Sequence, residues 1–166
     1  ATDLIYVGSG EIRYWLNAGG NQWIEGGRIA NLPYIDNLST LRILDFLGDG
    51  TPCLVWSSPL VDRASAVQYL RLTNGVKPRL LLSVRNSMGS EVIFSYSTSA
   101  THYLRDKQAG RAWRTKIPSH PVVVDQMTTV DPIGGSRVVT RYEYHDGYFD
   151  SHKRVFQGFA LVEQYD

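Results

Sequence analysis

The 166-residue chain has a single cysteine, Cys53. One thiol excludes an internal disulfide framework and any cysteine-cluster zinc site. It fits a cytosolic protein, or an exported bacterial one that does without disulfides. A dominant charge is also lacking: 17 Lys and Arg face 16 Asp and Glu, a formal net charge of +1. That balance argues against nucleic-acid binding through bulk positive charge, and against a disordered tail. No apolar run approaches the ~18 residues of a membrane helix, so membrane insertion by this segment is not expected. No stretch has a signal-peptide pattern. There is no Gly-x-Ser-x-Gly elbow, no phosphate loop and no complete Gly-x-Gly-x-x-Gly. Gly8-Ser9-Gly10 is only a fragment of the last. Catalytic and cofactor-binding residues are therefore assigned to none, and the segment is read as non-enzymatic.

What is present is ordinary globular composition, with 43% hydrophobic and 20% charged residues. The length suits one domain or two small ones. Ten Tyr and fifteen Gly favour pleated, half-buried surfaces joined by tight turns. The chain begins at Ala1 without Met and opens on a strand-like run, which reads as a piece of a longer polypeptide.

The spacing predicts strands over 3–7, 11–16 and from 22, the third broken by Gly26-Gly27. Further strands are expected over 41–45, 53–56, 67–72, 80–85 and 91–96. Turns are expected at Asn74-Gly75 and over 86–89. Residues 57–66, with Pro59 and little periodicity, read as a linker. Ser97–Gly110 breaks the pattern: Ala100, Tyr103 and Leu104 have helical spacing, and Ser97 or Thr98 stands where a cap belongs. Val122–Val130 is apolar and β-branched. Arg137–His145 alternates, with Val138, Thr140, Tyr142 and Tyr144 on one face and Arg137, Arg141, Glu143 and His145 on a charged outer face. Asp146-Gly147 is the expected turn into Val155–Glu163, with a bulge at Gly158.

Five features carry candidate chemistry. Asp45-Phe-Leu-Gly-Asp49-Gly50 matches positions one, five and six of a calcium loop. Leu47 at position three has no side-chain oxygen, and Cys53 at position nine suits a hard cation poorly. Asp45 and Asp49 are thus candidate calcium ligands, with a metal-free turn of the same shape as the alternative. His145, Asp146, Asp150 and His152 lie within eight residues, as a transition-metal site or a solvated hairpin turn. Cys53, beside a strand, reads as a buried structural thiol. Trp15 and Trp56 read as packing residues, and the basic positions from Arg105 to Lys116 as a solvated helix end.

Residues 41–56 (Leu-Arg-Ile-Leu-Asp-Phe-Leu-Gly-Asp-Gly-Thr-Pro-Cys-Leu-Val-Trp) resemble an FG-GAP-type β-propeller repeat, and Asp3–Val7 and Tyr14–Asn21 resemble its flanking elements. Lys77–Tyr96, Tyr103–Trp113, Arg141–Asp150 and Arg154–Glu163 resemble, in order, the region after the propeller in B subunits of insecticidal toxin complexes, the TcaC/TcdB type. The N-terminal region of the virulence protein SpvB is a related pattern. The resemblance implies an all-β fold. Residues 1–58 would be propeller material, and 59–166 an antiparallel β domain with one short helix. It implies a secreted toxin component made in the cytoplasm. Its partners would be a pore-forming A subunit and a C subunit of Rhs repeats, the latter completing a shell around the toxic enzyme. No cofactor is implied, calcium at Asp45 and Asp49 being the one candidate. Two other readings are an SpvB-type protein with a downstream ADP-ribosyltransferase and a calcium-dependent adhesion module. A piece cut from a propeller also exposes unpaired edges, so residues 1–58 are expected to be mobile or association-prone alone.

Overall fold

The computed structural model describes residues 3–8, 10–32, 35–59, 66–73 and 75–166. The expected linker falls mostly outside these, as do Ser9 and Asn74. The fold is all-β, as the punctuated strands require, with one helix among the described residues. The chain divides into two compact units: 1–43 with 54–70, and 44–53 with 71–166.

The first unit carries the antiparallel sheet β1 (Leu4–Val7), β2 (Glu11–Asn17), β3 (Trp23–Ala30), in that order. Gly26-Gly27 does not break β3. The register shifts from Tyr14↔Gly27 to Trp15↔Glu25, so Gly26 is the extra residue of a bulge. The Tyr14 ring covers it: a Cβ on Gly26 would collide with Tyr14 Cε2. The pair bends the strand where two glycines alone would signal its end. A second sheet is ordered β4 (Thr40–Leu44), β5 (Cys53–Ser57), β6 (Val67–Arg71). Ile12, Leu54, Val55 and Trp56 are buried, as is the Cys53 thiol.

The second unit is a five-stranded antiparallel sheet, ordered β11-β10-β9-β8-β7. β7 (Ser83–Arg85) is shorter than expected. Arg79 takes a left-handed φ of 65°, so the chain turns after Pro78 and is still joining the sheet at Leu82, whose carbonyl accepts from the Phe94 amide. β8 (Glu91–Thr98) pairs with β9 (Val122–Asp131) and runs directly into α1 (Ser99–Gln108). Thr98 is the N-cap residue, but its hydroxyl donates instead to the Gly48 carbonyl, at 2.7 Å. Gly110, at φ 77°, closes the C-terminus behind Arg105 and Lys107, cations that the helix dipole favours there.

The helix does not bury the expected stripe. Leu104 is exposed, and the buried residues are Ser99, His102 and Asp106. Nor does β10 turn at Asp146-Gly147. It runs from Ser136 to Asp150, with Asp146 at φ 49°, and the reversal comes at 151–154 before β11 (Val155–Tyr165). Asp150 closes that turn by accepting from the amides of His152 and Lys153. The bulge near Gly158 is present: the register passes from Tyr148↔Gly158 to Phe149↔Phe156, leaving Gln157 unpaired.

The pairing explains where the helix sits. β10 pairs with β9 only as far as Arg141↔Gln126, but with β11 from Arg141↔Tyr165 to Asp150↔Val155. Beyond Arg141 one edge of β10 has lost its strand neighbour, and α1 with residues 111–117 packs along it. Edge-to-face rings fill the space: Tyr103 on Trp113, Trp113 on Phe159, Phe156 on Phe159.

Candidate functional site

The Asp45 loop closes on itself, and the His145–His152 group does not assemble. In the Asp45 loop, Asp45 Oδ1 accepts from the Asp49 amide (3.1 Å) and Oδ2 from the Gly50 amide (3.0 Å). Asp49 Oδ1 accepts from the amide and hydroxyl of Thr51, and its Oδ2 lies 3.3 Å from Arg71 Nη2. The Thr51 hydroxyl and Arg71 hold the Asp49 carboxyl below its usual range, against burial. All four carboxylate oxygens therefore have partners from the loop and its neighbour, with Gly50 at φ 78° making the sharp turn.

The His145–His152 group is pulled apart. Asp146 accepts from the Arg114 amide, Asp150 serves its own turn, and His145 points into the unit's interior. The alternation of β10 puts His145 on the charged outer face with Arg137 and Arg141. Arg137 and Arg141 do face solvent, but α1 crosses that face at His145 and buries it.

The site that does assemble is a polar network beneath α1. Asp106 is its centre. Its Oδ2 accepts from His145 Nδ1 and from Trp113 Nε1, both at 2.7 Å, and Arg111 Nη2 stands 3.1 Å from Oδ1. Burial alone would raise the Asp106 carboxyl, but hydrogen bonds from His145 and Trp113 reverse this and leave it below the ordinary value. His145 Nε2 then faces Glu163 Oε2 at 3.4 Å. Glu163 accepts from Tyr165 Oη (2.8 Å), the main cause of its lowered pKa, and Glu143 pairs with Arg105 at 2.7 Å.

The second buried histidine sits one helical turn away. Tyr144 donates its backbone N–H to His102 Nδ1 over a long 3.4 Å, which leaves Nε2 protonated and donating to Ser97 Oγ at 2.9 Å. Asp125 Oδ1 lies 3.8 Å from the same Nε2. This is the reverse of an activated nucleophile, where the imidazole must accept the serine proton and the acid must hold the other nitrogen. Burial and then Arg105 depress the His102 pKa, so the ring is held neutral.

Sequence spacing missed this network because its members come from α1, the 111–117 loop, β10 and β11. The one readable signal was the helix stripe Ser99, His102, Asp106, polar where an apolar face was sought.

Fold and network together define an all-β module whose buried polar groups knit a helix to a sheet edge. The chain belongs to the insecticide toxin TcdB middle/N-terminal region family, whose model matches residues 17–166. Among solved structures it is similar to the TcdB2-TccC3 crystal structure, at 29% identity and a TM-score of 0.75. A TcdB2-TccC3-TEV crystal structure gives 30% and 0.73, and the Tc holotoxin pore of Photorhabdus luminescens, with the mutation TccC3-D651A, gives 31% and 0.76. Each likeness covers 98% of this chain and 8% of the other, so the chain spans about a twelfth of the length of those relatives. No curated protein matches.

Proposed function

We propose that this chain is a structural part of a toxin-complex B subunit. Its β8–β11 sheet is wall material for a shell that a Rhs-repeat C subunit completes around a toxic enzyme. Residues 1–58 are propeller material belonging to the part that docks on the pore-forming A subunit, and 59–166 belong to the shell. The segment itself does no bond-making chemistry, and the assembled toxin is secreted. The observation that carries this reading is the near-complete coverage at about 30% identity by TcdB2-TccC3 structures. The His102 hydrogen bonds, arranged against nucleophile activation, support the non-catalytic part. The sheet also carries exposed apolar residues, Ile93, Val138 and Leu161 among them, as a wall awaiting neighbours does.

Cryo-electron microscopy of the parent protein with its A and C partners tests the reading. The expected result places 59–166 in the shell and 1–58 in the propeller. Finding the segment outside both would refute it. A compact transferase domain encoded downstream would favour the SpvB-type alternative. The calcium-adhesion alternative requires calcium binding at Asp45 and Asp49, whose oxygens the loop's own donors and Arg71 already partner.

A further inference from the structure

Glu143 and Glu163 stand directly opposite each other on β10 and β11. Like charges in that cross-strand relation repel. His145, two residues along β10, turns its ring towards the same spot. One oxygen from each glutamate and one nitrogen of His145 lie within 4.8 Å of one another. The His145 side chain is only 10% exposed, and its buried Nε2 has no hydrogen-bond partner, with Glu163 Oε2 the near neighbour at 3.4 Å. The opposite nitrogen, Nδ1, is fixed by Asp106 at 2.7 Å. An ionised carboxylate only accepts, so Nδ1 carries the hydrogen, and in the neutral imidazole Nε2 presents a lone pair to the two glutamates. A carboxylate behind a histidine, setting its tautomer and aim, is the usual support of a metal-bound imidazole.

We infer that Glu143, His145 and Glu163 form a binding site for one divalent ion of the zinc class. The imidazole donor disfavours calcium and magnesium, which take oxygen ligands, whereas zinc takes nitrogen and carboxylate oxygen together. Three protein ligands leave a fourth position for water, and the partly exposed glutamates, at 30% and 38%, open it to solvent. The ion neutralises the opposed carboxylates and clips β10 to β11 beside α1. Arg105, 2.7 Å from Glu143, competes with it for that carboxylate.

The test is calorimetric titration of Zn²⁺ into the intact, chelator-stripped protein and into variants. One equivalent of Zn²⁺ is expected to bind the wild type and to weaken at least tenfold in Glu163→Gln, a partly exposed position that leaves the fold intact. Asp106→Asn, which acts through His145, should weaken it about 10- to 100-fold. Arg105→Ala should tighten it by freeing Glu143. Co²⁺ in place of Zn²⁺ should give a visible absorption band that Glu163→Gln abolishes. Superimposable Zn²⁺ titrations of wild type and Glu163→Gln, no binding at all, or calcium binding as tight as zinc would each overturn the inference.

Discussion

Replacing Asp106 with alanine isolates what the buried carboxylate contributes. Its side chain is 3% exposed, and it is the acceptor for a buried donor, His145 Nδ1, and a part-buried one, Trp113 Nε1. Each donor left buried without an acceptor costs about 1–3 kcal/mol, so the pair costs about 4 kcal/mol. Arg111, the third partner, is 60% exposed and can turn to water, so its loss adds at most about 1 kcal/mol. Against a typical domain stability of about 5–15 kcal/mol, that is a large fraction. Urea unfolding reads it directly. With a slope of about 2 kcal/mol per molar, the midpoint for the second unit should fall by about 2 M. Amide exchange at β10 and β11 should follow the same loss, which confines the effect to this unit. Arg111→Ala is the control, with a shift below about 0.5 M. An Asp106→Ala midpoint no lower than that control would show that water or rearranged side chains satisfy the two donors, and the network would lose its assigned role.

Three further predictions address other parts of the structure. In Gly147→Ala, the new Cβ meets Ile117 Cδ1 and lies 2.9 Å from Trp113 Cζ3, so overpacking should cost about 1–3 kcal/mol in the same titration; an unchanged midpoint would refute the close approach. His102 is held neutral below its ordinary pKa of 6.5. From that value down to its lowered value the unfolded chain binds more protons, so stability should fall as pH drops through the window and remain full above it. His102→Gln should flatten that part of the stability curve, and identical slopes in the two proteins would contradict the assignment. Finally, the strands within 1–58, taken out of their parent, should exchange their amides faster than β9–β11; equal protection would count against the unpaired-edge argument.

The existence of the strands was legible because Gly, Asn and Asp punctuate them, and the chain obeys that punctuation except where tertiary contacts override it. Gly26-Gly27 looked like an end and is a bulge, because the Tyr14 ring needs a residue without a Cβ beneath it. Asp146-Gly147 looked like a turn and is a kink within β10, because Arg114 and Thr115 come from outside to bond Asp146 Oδ1 and the Gly147 carbonyl. The polar network was not legible. Period-two alternation correctly separates Glu143 and His145 from Tyr142 and Tyr144, but it carries no sign of which face a helix will cover.

The helix stripe has a reason once the pairing is known. The chain leaves β8 at Thr98 and returns to pair with it at Val122, so residues 99–121 are an excursion from an otherwise simple hairpin. That excursion is laid on β10 where β9 no longer reaches. An open strand edge presents N–H and C=O groups that must find partners if they are buried. Leucines on the helix would cover the edge and leave those groups unsatisfied. His102 instead accepts the Tyr144 N–H, and the Thr115 hydroxyl donates to the Gly147 carbonyl. The residues that looked wrong for a packed helix are therefore the ones an unpaired strand requires. The same logic places Asp106, which holds His145 and Trp113 together where the helix, the loop and the strand meet.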